Sequence, residues 1–420
     1  MGNIEHFKLD NNYIAEGMWA LRLEDLFEKQ SYKFSDRARP GRLEISKGKI
    51  SLDINGCLNN FGSNSNNNYY TIYGYLSSGL SVILQKCFIT NSGFSIPGYQ
   101  AEKYLANVAY VLNKNQMISD YKMDKKIMAT KVNFRINYLD DWYNVDLPEF
   151  DNTNNSERIV IQYRNEFFDN NKFEILDGKY IVNLIRKIKG YQIKHIGATV
   201  EFESSISIST KNYQEEDVET LMKIANDILK LNDFLTQTHG RYTYFEFYLE
   251  DENNRERIEK FENGDYILHS PKYMGRIVFS QVVREEPKLR RDSLRLADIK
   301  NDYENLIKVW FEKKDKLQYI TDLYHQNTNS TLEIQSILVN KIKMLETYYD
   351  NFLNGKEDTS YKDTKIQDTK ERINKWMNEC KIEESIKEEI NLRLNARNNK
   401  YITLREKLEI ILKKFPDKLK

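Results

Sequence analysis

Residues 43–54 read LEISKGKISLDI, and this stretch decides the fold of the first half of the chain. Leu43 and Ile45 alternate with polar neighbours, as do Ile50, Leu52 and Ile54, and Ser46-Lys47-Gly48-Lys49 separates the two runs. Alternation with a period of two buries one face of a pleated strand, and a glycine at the junction admits the positive φ that a tight hairpin needs. The segment therefore predicts an antiparallel hairpin, with Pro40-Gly41 marking the turn into it. A second hairpin is expected from Tyr70–Leu76 and Leu80–Phe88, joined through Ser77-Ser78-Gly79. Between them, Asn59–Asn68 is an Asn/Ser/Gly loop that can bury almost nothing and is expected to be mobile.

Working outward, a second β-rich block spans Val132 to Thr210. Its clearest part places Val200, Phe202, Ser204, Ile206 and Ile208 on one face and Glu201, Glu203, Ser205, Ser207 and Ser209 on the other. That alternation predicts a strand with one solvated face. A helix follows over Glu216–Gln237, where Leu221, Ile224, Ile228, Leu231 and Leu235 recur at helical spacing and Glu215, Glu216 and Asp217 suit the N-terminal dipole. Strands return at Tyr242–Glu250 and Gly275–Val283, and Pro287 with the charged LRRDSLR run reads as a connector.

From Asp298 onward the pattern is helical. Apolar stripes run through Ile299, Tyr303, Leu306, Ile307 and Trp310, and through Ile334, Leu338, Ile342, Leu345, Tyr349 and Phe352. Two more follow, through Ile373, Trp376, Met377 and Cys380 and through Leu404, Leu408, Ile411, Leu412 and Phe415. Ser385 with Glu388 and Thr403 with Glu406 fit the capping box; Lys413 and Lys414 suit a C-terminal dipole, and Pro416 stops the last helix. The fold class expected is α+β. A β-rich antiparallel domain over residues 1–290, with at least one long helix, precedes an all-α bundle over 291–420.

The 420 residues carry 63 Lys+Arg against 63 Asp+Glu, so no global basic field points to nucleic acid or anionic membrane. Any RNA contact must come from a local patch, for which Arg186-Lys187-Ile188-Lys189 and Arg290-Arg291 with Arg295 are the candidates, beside a solvated-face reading. Three separated cysteines, Cys57, Cys87 and Cys380, argue against a disulfide framework and for a reducing cytosol. No apolar run is long enough to span a membrane, and the N-terminus has no secretory core. The five histidines, His6, His195, His239, His269 and His325, form no zinc pattern, and neither a P-loop nor a Gly-x-Ser-x-Gly elbow occurs. His195 reads as a surface histidine, and His325 as a cap at the end of the helix carrying Leu317, Ile320 and Tyr324. No cofactor and no metal are expected.

Several segments together resemble the ApeA family of bacterial anti-phage proteins. They are Gly17-Met18-Trp19, Pro40-Gly41-Arg42-Leu43 leading into LEISKGKISLDINGCL, the YTIYGYLSSGLSVILQKC hairpin, the helix containing Leu345-Glu346, and Ala396-Arg397-Asn398 followed by Leu404-Arg405-Glu406-Lys407-Leu408. The resemblance implies a β-rich N-terminal domain that senses infection and a helical HEPN ribonuclease domain, so the bundle over 291–420 would be of HEPN type. Such ribonucleases resemble one another in an Arg-Asn-x3-His motif contributed by two facing subunits. They cleave RNA by metal-independent transesterification, with His handling protons and Arg stabilising phosphoryl charge.

The chain departs from that pattern. No histidine has an arginine five to seven residues before it, and Ile402 stands where Arg397-Asn398 would need His. By the family arrangement the motif is expected just after Lys420, so no catalytic residue is assigned within the chain. Glu346 matches a position where the family often keeps an acidic residue, beside the reading of an ordinary helix residue, and Arg393, Arg397 and Lys400 are candidate RNA contacts. The expected protein is a cytoplasmic defence protein whose partners are RNA, a phage-derived trigger and a second copy of itself. The complete form would be the nuclease; alternatively the chain is a non-catalytic sensor completed by a partner. A helical part lacking its last helix is further expected to expose an apolar face.

Overall fold

A computed structural model provides the structure. It describes residues 12–28, 33–58, 69–95, 99–112, 126–143, 149–151, 160–162, 172–194, 197–249, 259–260, 266–267, 272–281, 289, 293–329, 332–353, 360–380, 382–396 and 404–414. Two compact units divide between Glu312 and Lys313. The first is mixed α/β and built on an antiparallel sheet that contains a barrel; the second is helical.

The barrel is made by β1 (Tyr13–Ala20), β2 (Arg39–Ser46), β3 (Lys49–Asn55), β4 (Tyr70–Leu76), β5 (Ser81–Ser95) and β6 (Tyr99–Ala106). They run in the order β5-β4-β1-β2-β3-β6, and β6 pairs back onto β5 to close the ring. The hairpin read from LEISKGKISLDI is β2–β3, with Leu43 opposite Leu52 and Ile45 opposite Ile50. Lys47 (φ 50°) and Gly48 (φ 74°) both have positive φ, as a two-residue type I′ turn requires. The second expected hairpin is β4–β5. A register shift near Lys86 (φ 53°) bulges β5, so that its first half pairs with β4 and its second half with β6.

Trp19 explains the glycines of the family-like segments. Its indole is fully buried in the barrel, Nε1 donates to the Gly41 carbonyl at 3.2 Å, and the ring lies across Gly74. A Cβ on Gly74 would stand 2.2 Å from Cζ3 of the ring, and one on Gly41 would stand 2.7 Å from the Asp53 carbonyl. Only glycine leaves room for the indole at these points.

β5 also pairs with β7 (Val108–Leu112), which continues the sheet away from the barrel. Short strands β8 (Met128–Ala129), β10 (Glu149–Asp151) and β11 (Val160–Gln162) lie outside this sheet. β9 (Lys131–Ile136), β12 (Lys172–Ile175), β13 (Tyr180–Lys194) and β14 (Gly197–Thr210) belong to it. After β15 (Glu216–Asp217), β16 (Tyr242–Leu249), the small pair β17 (Glu259–Lys260) and β18 (Tyr266–Ile267), and β19 (Lys272–Phe279), the order from β7 is β19-β16-β9-β14-β13-β12. Helix α1 (Leu139–Trp142) follows β9, and α2 (Val218–Thr236) lies against it, burying Leu221, Ile224, Ile228 and Leu231. Asp217 caps α2 by accepting the Glu219 N–H at 2.9 Å, and Gln237 (φ 52°) ends it in the left-handed region.

The solvated face expected of the Val200–Ser209 strand is covered over its middle, while Glu203 and Ser209 stay partly exposed. Ser205 and Ser207 are 5% and 3% exposed. β14 runs between β13 and β9, and Ser205 is held by a hydrogen bond with Tyr244 of β16, so the polar face is covered by polar neighbours. Alternation reports which face is polar, and water is only one way to satisfy it. The Asn59–Asn68 loop, most of the LRRDSLR connector, and His6, His195 and His269 lie outside the described residues.

The first helical residues belong to the β-rich unit. Helix α3 (Leu296–Ile299) and the start of α4 (Tyr303–Asn329) are anchored there: the Tyr303 hydroxyl donates to Asn232 Oδ1 at 3.0 Å, and its ring meets those of Trp142 and Phe173. The second unit holds the rest of α4, α5 (Ile334–Tyr348), a π-helical turn (Tyr349–Leu353), α6 (Ser360–Glu379), α7 (Glu384–Ala396) and α8 (Leu404–Lys414). His325 does not end its helix. α4 continues to Asn329, and the Thr328 hydroxyl donates to the carbonyls of Tyr324 and His325. Ser385 is not a cap either, because the Glu383 carbonyl already accepts from Ile386 and Lys387, which puts Ser385 inside the first turn. Thr403 lies outside the described residues.

Candidate functional site

In the helical unit α5 packs against α8 through the π-helical turn that follows it. Tyr349 and Leu353 of the π-helical turn are buried with Ile411 of α8, and Tyr348 and Ile410 pack beside them. Lys407 of α8 spans this contact, 2.8 Å from Asp350 and over the Tyr349 ring, and Asn351 Nδ2 donates to the Lys316 carbonyl at 2.7 Å. These contacts hold the turn in π geometry, a conformation that clusters at functional sites.

N-terminal to this turn, the apolar stripe of α5 is uncovered. At 100° per residue, Ile334, Leu338 and Leu345 fall within an arc of about 40°. They are 84%, 58% and 39% exposed. Trp376 of α6, Ile386 of α7 and Leu412 of α8 are also exposed, so the helical part carries the uncovered apolar surface that the sequence led us to expect. Glu346, about 80° or more round the helix from this stripe, is half-buried in the last turn of α5, where its carbonyl accepts the Tyr349 N–H. Arg393 lies in α7 with its side chain outside the described residues, and Arg397 and Lys400 are outside them altogether.

The β-rich unit holds a polar centre that the sequence did not flag. Asp233, near the end of α2, is 1% exposed, and its Oδ1 accepts from the Tyr138 hydroxyl at 2.6 Å and from the Gly240 N–H at 2.9 Å. Burial, with the Asp233 carboxylate beside it, pushes the Tyr138 hydroxyl far above its ordinary pKa. Nδ1 of the half-exposed His239 lies 3.5 Å from Asp233 Oδ2, within ion-pair reach and long for a hydrogen bond. A buried carboxylate facing Nδ1 is the arrangement that orients an imidazole. Here its two short bonds go to Tyr138 and Gly240, so it first of all ties the α2 C-terminus to β9 and β16. Asp233 falls on the apolar side of α2 but is polar, and nothing in the spacing connects it to Tyr138, ninety-five residues earlier.

The basic clusters resolve differently. Arg186 is 9% exposed, stacked 4.2 Å from the centre of the Phe202 ring and 5.4 Å from that of Tyr143. It is an anchor and does not reach phosphate. Arg295 donates to the Asp141 carbonyl at 3.1 Å, and Arg290 and Arg291 lie outside the described residues. A cleft of about 420 Å³ between the β12–β13 turn and α4 is lined by Glu174, Asp177 and Glu312 against Lys308, a balance that repels anions. Among the described residues, no helix is long and apolar enough to cross a membrane.

The comparisons agree with this division. A family model described as ApeA N-terminal domain 1 matches residues 17–310, which are the barrel, the sheet and the first helices anchored to it. No curated protein and no solved structure matches the chain. The matched span includes Trp19 and Gly17, Gly41 and Gly74, glycines at which a Cβ would clash with the packed barrel. With more than half of its length matched, the chain belongs to the ApeA family of anti-phage defence proteins.

Proposed function

We propose that the β-rich unit senses a phage-derived component and that the helical unit is the scaffold of a HEPN endoribonuclease whose Arg-Asn-x3-His helix comes from outside these 420 residues. The observation that carries this reading is the apolar stripe uncovered on α5, the helix that also carries Glu346, in a unit with no Arg-x4–6-His pair. A further amphipathic helix packed on Ile334, Leu338 and Leu345 covers the stripe and brings its polar residues next to Glu346. In the assembled dimer, the histidine of that helix removes the ribose 2′-hydroxyl proton as the oxygen attacks the adjacent phosphate; the bond from phosphorus to the 5′-oxygen of the next nucleotide breaks, leaving a 2′,3′-cyclic phosphate, and the departing 5′-oxygen takes up a proton. The arginine stabilises the charge growing on the phosphoryl oxygens, and no metal takes part.

The chain itself supplies position and water exclusion, while RNA, the trigger and a second copy are its partners in the cytoplasm. Reading the coding DNA beyond codon 420 and in the adjacent gene tests this. An in-frame Arg-Asn-x3-His on an amphipathic segment supports the reading, and its absence from both places sinks it.

A further inference from the structure

β12 is an end strand of its sheet. It pairs with Tyr180–Asn183 of β13 on one side, and among the described residues no strand pairs with it on the other. Phe173 and Ile175 are buried while Lys172 and Glu174 are exposed, and the Phe173 ring packs on that of Tyr303. One face of β12 is thus fixed against α4, and its outer edge offers backbone N–H and C=O groups to a further strand.

At its Ile175 end β12 runs into the cleft of about 420 Å³ between the β12–β13 turn and α4, which lies within the β-rich unit. Ile175 and Phe311, 2% and 6% exposed, give the cleft apolar walls, and the exposed Leu176 stands at its lip. Leu176 (φ 52°) and Asp177 (φ 56°) both hold the left-handed conformation. A bulky side chain is disfavoured there, and such positions cluster at ligand clamps. The charges lining the cleft are three carboxylates and one ammonium. The cations nearby are already engaged: Lys308 lies 2.7 Å from Glu304, Lys211 3.4 Å from Glu174, and Lys179 of the turn 2.8 Å from Glu216. Asp177 and Glu312, both exposed, have no ion-pair partner among the described residues.

We propose that this edge and cleft dock an extended basic segment of a partner protein, which adds to β12 as a strand and places an arginine or lysine side chain in the cleft. Strand addition supplies main-chain hydrogen bonds, and the pocket at the end of the strand selects the side chain. The methylene stem of arginine or lysine lies along Ile175 and Phe311, and its cationic head meets Asp177 and Glu312. The same two carboxylates repel an acidic segment. The site lies in the β-rich unit and is independent of the nuclease reading.

The test is fluorescence anisotropy of the full chain with a labelled peptide of about six residues in which valine and arginine alternate, so that the arginines share one face of the strand. The controls are the same peptide with glutamate for arginine, the same peptide methylated on its backbone nitrogens, and free spermidine as a competitor. The arginine peptide should bind at least about tenfold more tightly than either altered peptide, and more weakly as salt rises. Spermidine should displace it at least about tenfold less well than the unlabelled arginine peptide does. D177N/E312Q should lower the affinity about tenfold with an unchanged melting transition, since asparagine tolerates the left-handed φ that Asp177 holds. If that variant does not fold, E312Q alone should lower the affinity about threefold. The proposal is overturned by no binding of the arginine peptide, or by the glutamate or methylated peptide binding as tightly. Displacement by spermidine as effective as by the peptide, or folded variants that keep the wild-type affinity, overturn it equally.

Discussion

Gly74→Ala should destabilise the β-rich unit by about 2–4 kcal/mol, through one ring. The new methyl would lie 2.2 Å from Cζ3 and 2.3 Å from Cε3 of Trp19, against ordinary carbon contacts of roughly 3.5–4.0 Å. The indole must move by more than an ångström, but it is fully buried and tethered by its Nε1 bond to the Gly41 carbonyl. Overpacking of this kind costs about 1–3 kcal/mol, and loss of the tether adds about 1 kcal/mol. Chemical denaturation followed by far-UV circular dichroism measures the total, since tryptophan fluorescence would mix Trp19 with Trp142, Trp310 and Trp376. The same cause predicts rescue. In the background of Trp19→Leu, which is itself costly, Gly74→Ala should be nearly neutral, so that the double-mutant cycle shows a coupling above about 1 kcal/mol. A cost below about 0.5 kcal/mol for Gly74→Ala alone, or additive costs in the pair, would refute the packing argument.

Other outcomes follow from the same contacts. Asp233→Ala removes the acceptor of two buried donors, the Tyr138 hydroxyl and the Gly240 N–H, and should cost about 2–4 kcal/mol in denaturation. Asp233→Asn, which can keep Oδ1 as an acceptor, should cost clearly less. Burial pushes the Cys87 thiol from 9.0 up to about 12 and the Tyr244 hydroxyl from 10.0 up to about 12. Both folded values are raised, so the folded state holds these protons more tightly than the unfolded chain. Their stabilising contribution is complete below pH 9 and is lost as the pH climbs towards 12. Denaturation midpoints measured from pH 8 to 11 should fall, and Cys87→Ala should shallow the fall. At pH 8 in native buffer a thiol reagent should label the exposed Cys380 first and spare Cys87 until the protein unfolds. Leu338→Asp changes a residue that is 58% exposed, so it should alter stability by less than about 0.5 kcal/mol while reducing the binding of a hydrophobic dye.

What was legible in the sequence was whatever local periodicity controls. The LEISKGKISLDI hairpin, its two-residue turn and the α2 helix with its Asp217 cap follow from alternation, turn chemistry and dipole preference within a few residues. Three kinds of feature escaped. Closure of the barrel depends on β5 changing partners at Lys86, and a lysine with positive φ leaves no compositional trace. The polar face of β14 was read as solvated, because alternation separates polar from apolar without showing that Tyr244 and two flanking strands would cover the polar side. The basic run at Arg186 admits a phosphate contact or a solvated face, and it is neither at Arg186 itself, because Tyr143 and Phe202 reach it from 43 residues before and 16 residues after. Asp233 and its partners likewise meet only in three dimensions. The family-like segments were legible as a pattern; what the structure adds is that Gly41 and Gly74 are there to receive the indole of Trp19.

The central claim, a helical scaffold without the chemistry, meets its most direct test in an RNA cleavage assay with the purified chain. A structured RNA is incubated with it, with and without EDTA and with and without phage lysate, and the products are resolved on a denaturing gel. The account predicts intact RNA with the chain and EDTA and no added lysate, and no lysate-dependent cutting beyond that of lysate alone. Cleavage by the pure chain that persists in EDTA would contradict it.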